Sequence, residues 1–173
     1  MEDTSLDQCI AELKEHWDGL NSQTIIRCRA TLERLAATNR SETWLADLHK
    51  ERSISKELYR DPKWGFTLLA HVETQGLYRV PHNHGDGWVF YALQFGQVQM
   101  ATYGLLSETN TEAQLLSRGA DIMHPGDCRA FLPGDIHDTR CMSDYSLMFR
   151  LTSCDFSREK RLGRLRQFES YAE

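Results

Sequence analysis

Hydrophobic residues recur at helical intervals in the first third of this chain and at strand intervals through its middle. Leu6, Cys9, Ile10, Leu13 and Trp17 form a stripe that predicts a helix, with Ser5-x-x-Gln8 as its capping box and Gly19 and Asn21 as its stop. A second helix is expected over about 22–36, with Ile25, Cys28, Leu32 and Leu35 on one face. A third is expected over about 42–49 and a short fourth over about 54–59. Each apolar stripe reads as a face packed on a core. From 64 to 152 the chain is rich in aromatic and β-branched residues and broken by Gly and Pro. Strands are predicted over 64–72, 78–84, 88–95, 98–106, 128–132, 136–141 and 145–152, with a polar loop over 107–119. Short strands at this spacing point to a sandwich or barrel. The tail turns helical again, with Ser157 as N-cap and Leu162, Leu165 and Phe168 as its stripe. Its Arg158, Lys160, Arg161, Arg164 and Arg166 read as a solvated face. The expected organisation is one domain: a helical segment over 1–60 packed on a barrel over 61–156, then a C-terminal helix over 157–173.

Composition narrows the function classes. The 173 residues suit one domain with a sizeable core. A net charge of −5 lacks the basic footprint of a nucleic-acid binder. No apolar run approaches the roughly 18 residues of a membrane span, and the acidic start Met1-Glu2-Asp3-Thr4 lacks the apolar core of a secretory signal. Cys9, Cys28, Cys128, Cys141 and Cys154 are odd in number and contain no C-x-x-C, so they read as free thiols of a cytoplasmic protein.

The candidate chemistry lies in the histidines. His16 and His49 fall on predicted helices, His71 in an apolar strand as a hydrogen-bonded core residue, and His124 in a turn before Pro125-Gly126. His82 and His84 stand at i and i+2, so an extended backbone projects both from one face. Neutral imidazole is the commonest protein metal ligand, and two so placed can grip one ion. His137 closes Leu132-Pro133-Gly134-Asp135-Ile136-His137, where a Pro-Gly turn delivers a strand that can lie beside the first pair.

These residues stand in a frame that resembles the cupin superfamily. Its first motif is G-x5-H-x-H-x(3–4)-E-x6-G. Here Gly76, five residues, His82-Asn83-His84, four residues, Val89, six residues and Gly96 fit it, with Val89 in place of the glutamate. Its second motif is G-x5-P-x-G-x2-H-x3-N. Gly126, Leu132, Pro133, Gly134, His137 and Cys141 fit that spacing, with Leu132 and Cys141 replacing the proline and the asparagine. The resemblance implies a mainly β fold, the cupin double-stranded β-helix or jelly-roll barrel, with helices before and after it. It also implies a metal held by His82, His84 and His137.

Losing the glutamate leaves the site with the metal's full charge and open coordination positions, which favours a chelating anion as substrate. Three-histidine sites of this kind resemble those of the thiol dioxygenases. That branch implies mononuclear Fe(II) as cofactor, O2 as co-substrate and a small thiol bearing a carboxylate as substrate, oxidised to the sulfinate. Leu58-Tyr59-Arg60-Asp61-Pro62 matches by local pattern the segment whose arginine binds the substrate carboxylate in cysteine dioxygenase-like proteins, which makes Arg60 the candidate clamp. Strand parity turns Tyr91 inward with position 89, as a candidate to orient substrate or oxygen. Two features depart from the branch. Val89 replaces the cysteine that mammalian-type enzymes crosslink to tyrosine, and Phe149-Arg150-Leu151-Thr152-Ser153-Cys154-Asp155 stands where a Ser-His-Tyr triad is usual. Other readings of the same frame are a carbon–carbon cleaving dioxygenase of a diketone or hydroxyketone, a zinc or nickel isomerase or hydrolase, and a non-catalytic small-molecule binder. The expected partner is a small-molecule substrate, with no nucleic acid and no membrane, and the expected state a monomer or homodimer.

Overall fold

A computed structural model describes residues 3–109, 112–168 and 171–172. Three helices come first: α1 (Ser5–His16), α2 (Ser22–Ala36) and α3 (Thr43–Glu51). Nine strands follow: β1 (Lys56–Arg60), β2 (Thr67–Thr74), β3 (Tyr78–His82), β4 (Val89–Phe95), β5 (Val98–Glu108), β6 (Ala113–Met123), β7 (Cys128–Phe131), β8 (Ile136–Cys141) and β9 (Tyr145–Thr152). A short α4 (Phe156–Arg161) and a two-residue β10 (Tyr171–Ala172) end the described chain.

The strands make two five-stranded sheets, ordered β1-β2-β9-β4-β7 and β10-β6-β5-β8-β3. Every pairing is antiparallel except β10 with β6. Non-sequential neighbours such as β9 between β2 and β4 are the crossings of a jelly roll. Side-chain alternation divides the first sheet in two. Phe66, Leu68, Ala70, Phe90, Ala92, Phe149 and Leu151 face outward and pack against Leu13, Leu32, Leu35 and Leu45 of the helices. Val89, Tyr91, Leu93 and Met148 face the other way, against Val98, Met100 and Met123 of the second sheet. A strand covered on both sides reads as a continuous buried run, as β4 does. The helices thus back the sheet that carries Tyr91, while His82 and His137 stand on β3 and β8 of the other sheet. Trp17 anchors that outer layer, with ring centroids 4.3 Å from Phe66 and 4.6 Å from Trp88.

Four local expectations give way. The capping box of α1 is Thr4 with Asp7, one residue earlier than expected. Thr4 Oγ1 accepts from the Asp7 amide at 3.1 Å, and Asp7 Oδ2 accepts from the Thr4 amide at 3.0 Å, so aspartate does at this position what glutamine was expected to do. Thr4→Ala is expected to lower stability by about 1 kcal/mol, read as a shifted urea midpoint with unchanged slope. The expected short helix over 54–59 is β1, because so few residues cannot nucleate a helix while the open edge of β2 offers pairing from Lys56 to Arg60. The polar loop over 107–119 is the β5–β6 hairpin. Only Ala113, Leu115 and Met123 of β6 are buried, so its solvent-facing strand carries no apolar alternation to read.

The C-terminal helix is α4 alone. Asp155, not Ser157, is its N-cap and accepts from the Ser157 amide at 2.9 Å. The chain leaves the helix at Gly163, where φ is +70°. It then runs extended across β3. The Arg166 carbonyl accepts from the Asn83 amide at 3.1 Å, and the Phe168 amide donates to the Pro81 carbonyl at 2.8 Å. The rest of the expected helix, 169–170 and 173, lies outside the described residues. Among the described residues, no helix is long and apolar enough to cross a bilayer.

Candidate metal centre

The three histidines arrive from two adjacent strands and one turn. His82 ends β3 and pairs in register with His137 at the start of β8. The turn that delivers β8 is closed by the Asp135 amide donating to the Leu132 carbonyl at 3.0 Å and by Asp135 Oδ2 accepting from the Leu132 amide at 2.7 Å. Beside His137, the buried Asp138 accepts from the Ala101 amide (3.0 Å), Tyr103 (2.8 Å) and Tyr78 (3.0 Å). That carboxylate ties β3, β5 and β8 together at the level of the site. His84 follows β3 in a turn closed by the Gly87 amide on the His84 carbonyl at 3.1 Å. A Cβ at Gly87 would stand 2.7 Å from Phe156 and 2.8 Å from Cys154 Sγ, so the turn needs glycine there.

One ligand atom from each histidine lies within 4.8 Å of the others. His84 Nε2 and His137 Nε2 are 3.3 Å apart. Two imidazoles each about 2.0–2.1 Å from one tetrahedral ion would bring their nitrogens to about 3.3–3.4 Å, so this pair fits a shared ion. His82 Nδ1 donates to the Val80 carbonyl at 2.9 Å, which leaves the Nε2 lone pair free to ligate. Burial pushes His84 down to about 3 and also lowers His82 and His137. All three are neutral, the form that binds metal, at physiological pH. Phe131 stacks on His137 with centroids 3.9 Å apart, and Phe156 on His84 at 5.2 Å.

Tyr91 places its hydroxyl 3.3 Å from His84 Nε2. Burial raises its ionisation above the ordinary phenol range, so it keeps its proton and can donate it to a ligand. Val89 is fully buried in the apolar cluster with Phe131 and Met148, and it offers no donor where the motif has glutamate.

His82, His84 and Tyr91 line a cavity of about 560 Å³ between the sheets, within the range of small-molecule sites, and His137 is fully buried. Arg60 is not among its lining residues. It lies on the edge strand β1, half-exposed, with its guanidinium 2.6 Å from Glu57. Arg79 and Arg150 line the cavity instead. A signal for Arg150 lay in the strand itself: it shares a phase with Met148 and alternates with Leu147, Phe149 and Leu151, so it is a charge on the inward face of an otherwise apolar strand. Glu73 stands likewise in phase with His71 on β2.

The two crossed five-stranded sheets make the fold a jelly-roll, double-stranded β-helix. No protein-family model matches the chain, and no curated protein does. Solved structures similar to it include the cupin domain of Schizosaccharomyces pombe Cnp3, at 9% identity over 63% of this chain and 69% of that one, with a TM-score of 0.46. KdgF from Halomonas sp. is similar at 16% identity over 57% of this chain and 76% of that one, TM-score 0.46. A cupin-2 domain from Rhodospirillum rubrum is similar at 11% identity over 58% and 59%, TM-score 0.46.

His71 also lines the cavity, and burial lowers it to about 3. His71 and His84 thus remain neutral in the folded chain while the unfolded chain takes up protons below about pH 6.5. The unfolded state binds more protons between about pH 6.5 and pH 3, so stability of the metal-free protein falls as pH drops through that window. Urea midpoints at about pH 7 and about pH 5 are expected to show a clear loss at the lower pH; equal midpoints would contradict the buried neutral histidines.

Proposed function

We propose that this chain is a mononuclear non-haem Fe(II) dioxygenase that converts a small thiol bearing a carboxylate into the sulfinate. The observation that carries the reading is the donor set: three neutral imidazoles converge, the cluster contains no carboxylate among the described residues, and Val89 stands at the motif position of the glutamate. The reaction balances without a further reductant: RSH + O2 gives RSO2H, with sulfur oxidised, O2 reduced, and both oxygen atoms retained. Held by His82, His84 and His137, ferrous iron would supply the oxygen chemistry that amino-acid side chains lack and favour the thiolate over the thiol.

The chain's own residues supply the rest. Arg79, Arg150 and Lys160 against Glu73 leave the cavity wall net positive, which draws in and orients an anion. Tyr91 offers a hydroxyl proton beside His84, where it can hydrogen-bond a ligand's oxygen or sulfur. Val89, Leu93, Phe131 and Met148 keep the floor dry, which strengthens each charge interaction above it. The five cysteines are free, four of them buried, as suits a protein of the reducing cytoplasm.

Product analysis tests the reading. Iron-loaded protein incubated with a panel of thiols and diketones is expected to yield a thiol product heavier by two oxygen atoms. Cleavage of a diketone with no thiol oxidation would assign the carbon–carbon cleaving reaction instead.

A further inference from the structure

His82 and His84 sit at a sheet edge. β3 is the last strand of its sheet and has β8 as its strand neighbour on one side only. The C-terminal arm, residues 156–168, covers the other side and follows the ligand segment from Pro81 to Gly87. The Phe168 amide donates to the Pro81 carbonyl at 2.8 Å, and Gln167 stands opposite His82. The Asn83 amide donates to the Arg166 carbonyl at 3.1 Å. Asn83 Oδ1 accepts in return from the Arg166 amide at 2.8 Å and from the Gly85 amide at 3.3 Å. Glu159 reaches the turn of His84 itself, where its Oε2 accepts from the Asp86 amide at 3.1 Å.

The anchors of the arm lie away from the histidines. Glu159 is only 4% exposed, and Arg164 Nε donates to its Oε2 at 2.8 Å. Arg166 forks onto Glu108 of β5. Phe168 is buried with Tyr103, Leu115 and Ile136. Ile136 and His137 are successive on β8, so that cluster lies on the opposite face of the sheet from the histidine. The fit at the turn is close, since a Cβ at Gly85 would run into Glu159 and Arg164. Covering an edge strand needs backbone pairing alone. A buried carboxylate bonded to the turn that carries a ligand is a more specific device. Partners outside a ligand set orient it, and losing one typically costs about 10–100-fold in metal affinity.

We propose that the arm is a positioning clamp for the metal, with Glu159 fixing the turn of His84 and Asn83 fixing the step from His82 to His84. Docking of the arm and occupation of the site are then linked. Metal holds the arm down, and loosening the arm weakens the metal to the same degree. Phe156, Ser157, Lys160, Leu165 and Gln167 also line the cavity, so the same linkage firms the cavity wall when metal is bound. The inference rests on the metal reading of the three histidines in the proposed function and not on the reaction.

Trypsin reads the clamp directly, because the arm carries its own cleavage sites. Cutting after Arg164 or Arg166 requires the arm to leave the ligand segment, so the rate follows the undocked population. Zinc is the metal used, which keeps turnover out of the measurement. In wild-type protein zinc is expected to slow cleavage at these sites at least about fivefold, and in His137→Ala to change nothing. Zinc affinity, read by competition with a chelator, is expected to fall about tenfold in Phe168→Ala and in Glu159→Ala. Phe168→Leu keeps an apolar anchor and Glu159→Gln keeps an acceptor oxygen, so both should stay within about twofold of wild type. A circular dichroism spectrum identifies any variant that fails to fold, and wild-type proteolysis then decides alone. Equal cleavage rates with and without zinc would overturn the proposal. So would protection that persists in His137→Ala, or a folded Phe168→Ala that binds zinc as tightly as wild type. Wild-type protein that binds no zinc would remove the metal reading and the clamp with it. Protection by zinc, with no oxygen uptake by the iron-loaded protein, would remove the dioxygenase reading and leave the clamp standing.

Discussion

His137→Ala is expected to abolish stoichiometric iron binding and to cut substrate turnover by at least about 100-fold. His137 is fully buried, stacked on Phe131, with its Nε2 3.3 Å from that of His84. Taking it away leaves two imidazoles, one of them on a turn, and no carboxylate within the cluster to replace it. The fold should survive the change. Asp138 still holds β8 through its three donors, and Tyr103 and Ile136 remain packed at the sheet end. Metal content by mass spectrometry and a circular dichroism spectrum separate the outcomes: loss of iron with a native spectrum supports the assignment. One iron per chain with full turnover in the variant would remove His137 from the site.

Val89→Glu carries the second large effect, and its sign depends on the metal. Position 89 is fully buried among Phe131, Met148 and other apolar side chains. A carboxylate there has no partner in the metal-free protein, and leaving a charge buried and unpaired costs on the order of 3–5 kcal/mol. With a divalent ion on the three histidines the same carboxylate gains a counter-charge, so added iron or zinc is expected to recover a large part of the loss. Thermal melts of variant and wild type, each with and without metal, read both terms. A variant melting far below wild type that responds strongly to metal places position 89 beside the ion. A variant equally destabilised with and without metal would mean that residue 89 does not face it.

The sequence showed most of this molecule wherever local signals and tertiary packing agree. The second helix falls over 22–36 as the Ile25, Cys28, Leu32 and Leu35 stripe requires, and the strands over 136–141 and 145–152 match because turn residues bound β-branched and aromatic runs. Local signals failed where only pairing decides the structure. β1 exists because β2 has an edge to pair with, and β6 is largely exposed, so its sequence looks like a loop. The tail past Gly163 lies against β3 through backbone bonds, which no side-chain periodicity reports.

The candidate site divides the same way. His82, His84 and His137 were legible because their spacing follows the strand period and the turn chemistry around it. Arg60 matched a local pattern, but an edge strand carries its side chain to Glu57 and solvent, away from the cavity. Arg150 and Glu73 each interrupt the inward face of an apolar strand, but their strands are far apart in the chain, so only the topology shows that they line one cavity. His71 was read as a hydrogen-bonded core residue, and its bond to Ile54 is present. The residue also lines the cavity, which periodicity alone does not tell.

The central claim is that three histidines hold a redox-active iron. Protein purified without oxygen, analysed for metal and then placed in an oxygen electrode with a carboxylate-bearing thiol, tests it directly. One iron per chain and uptake of one O2 for each molecule of sulfinate formed are expected. Stoichiometric zinc, with no oxygen uptake after iron is substituted for it, would contradict it.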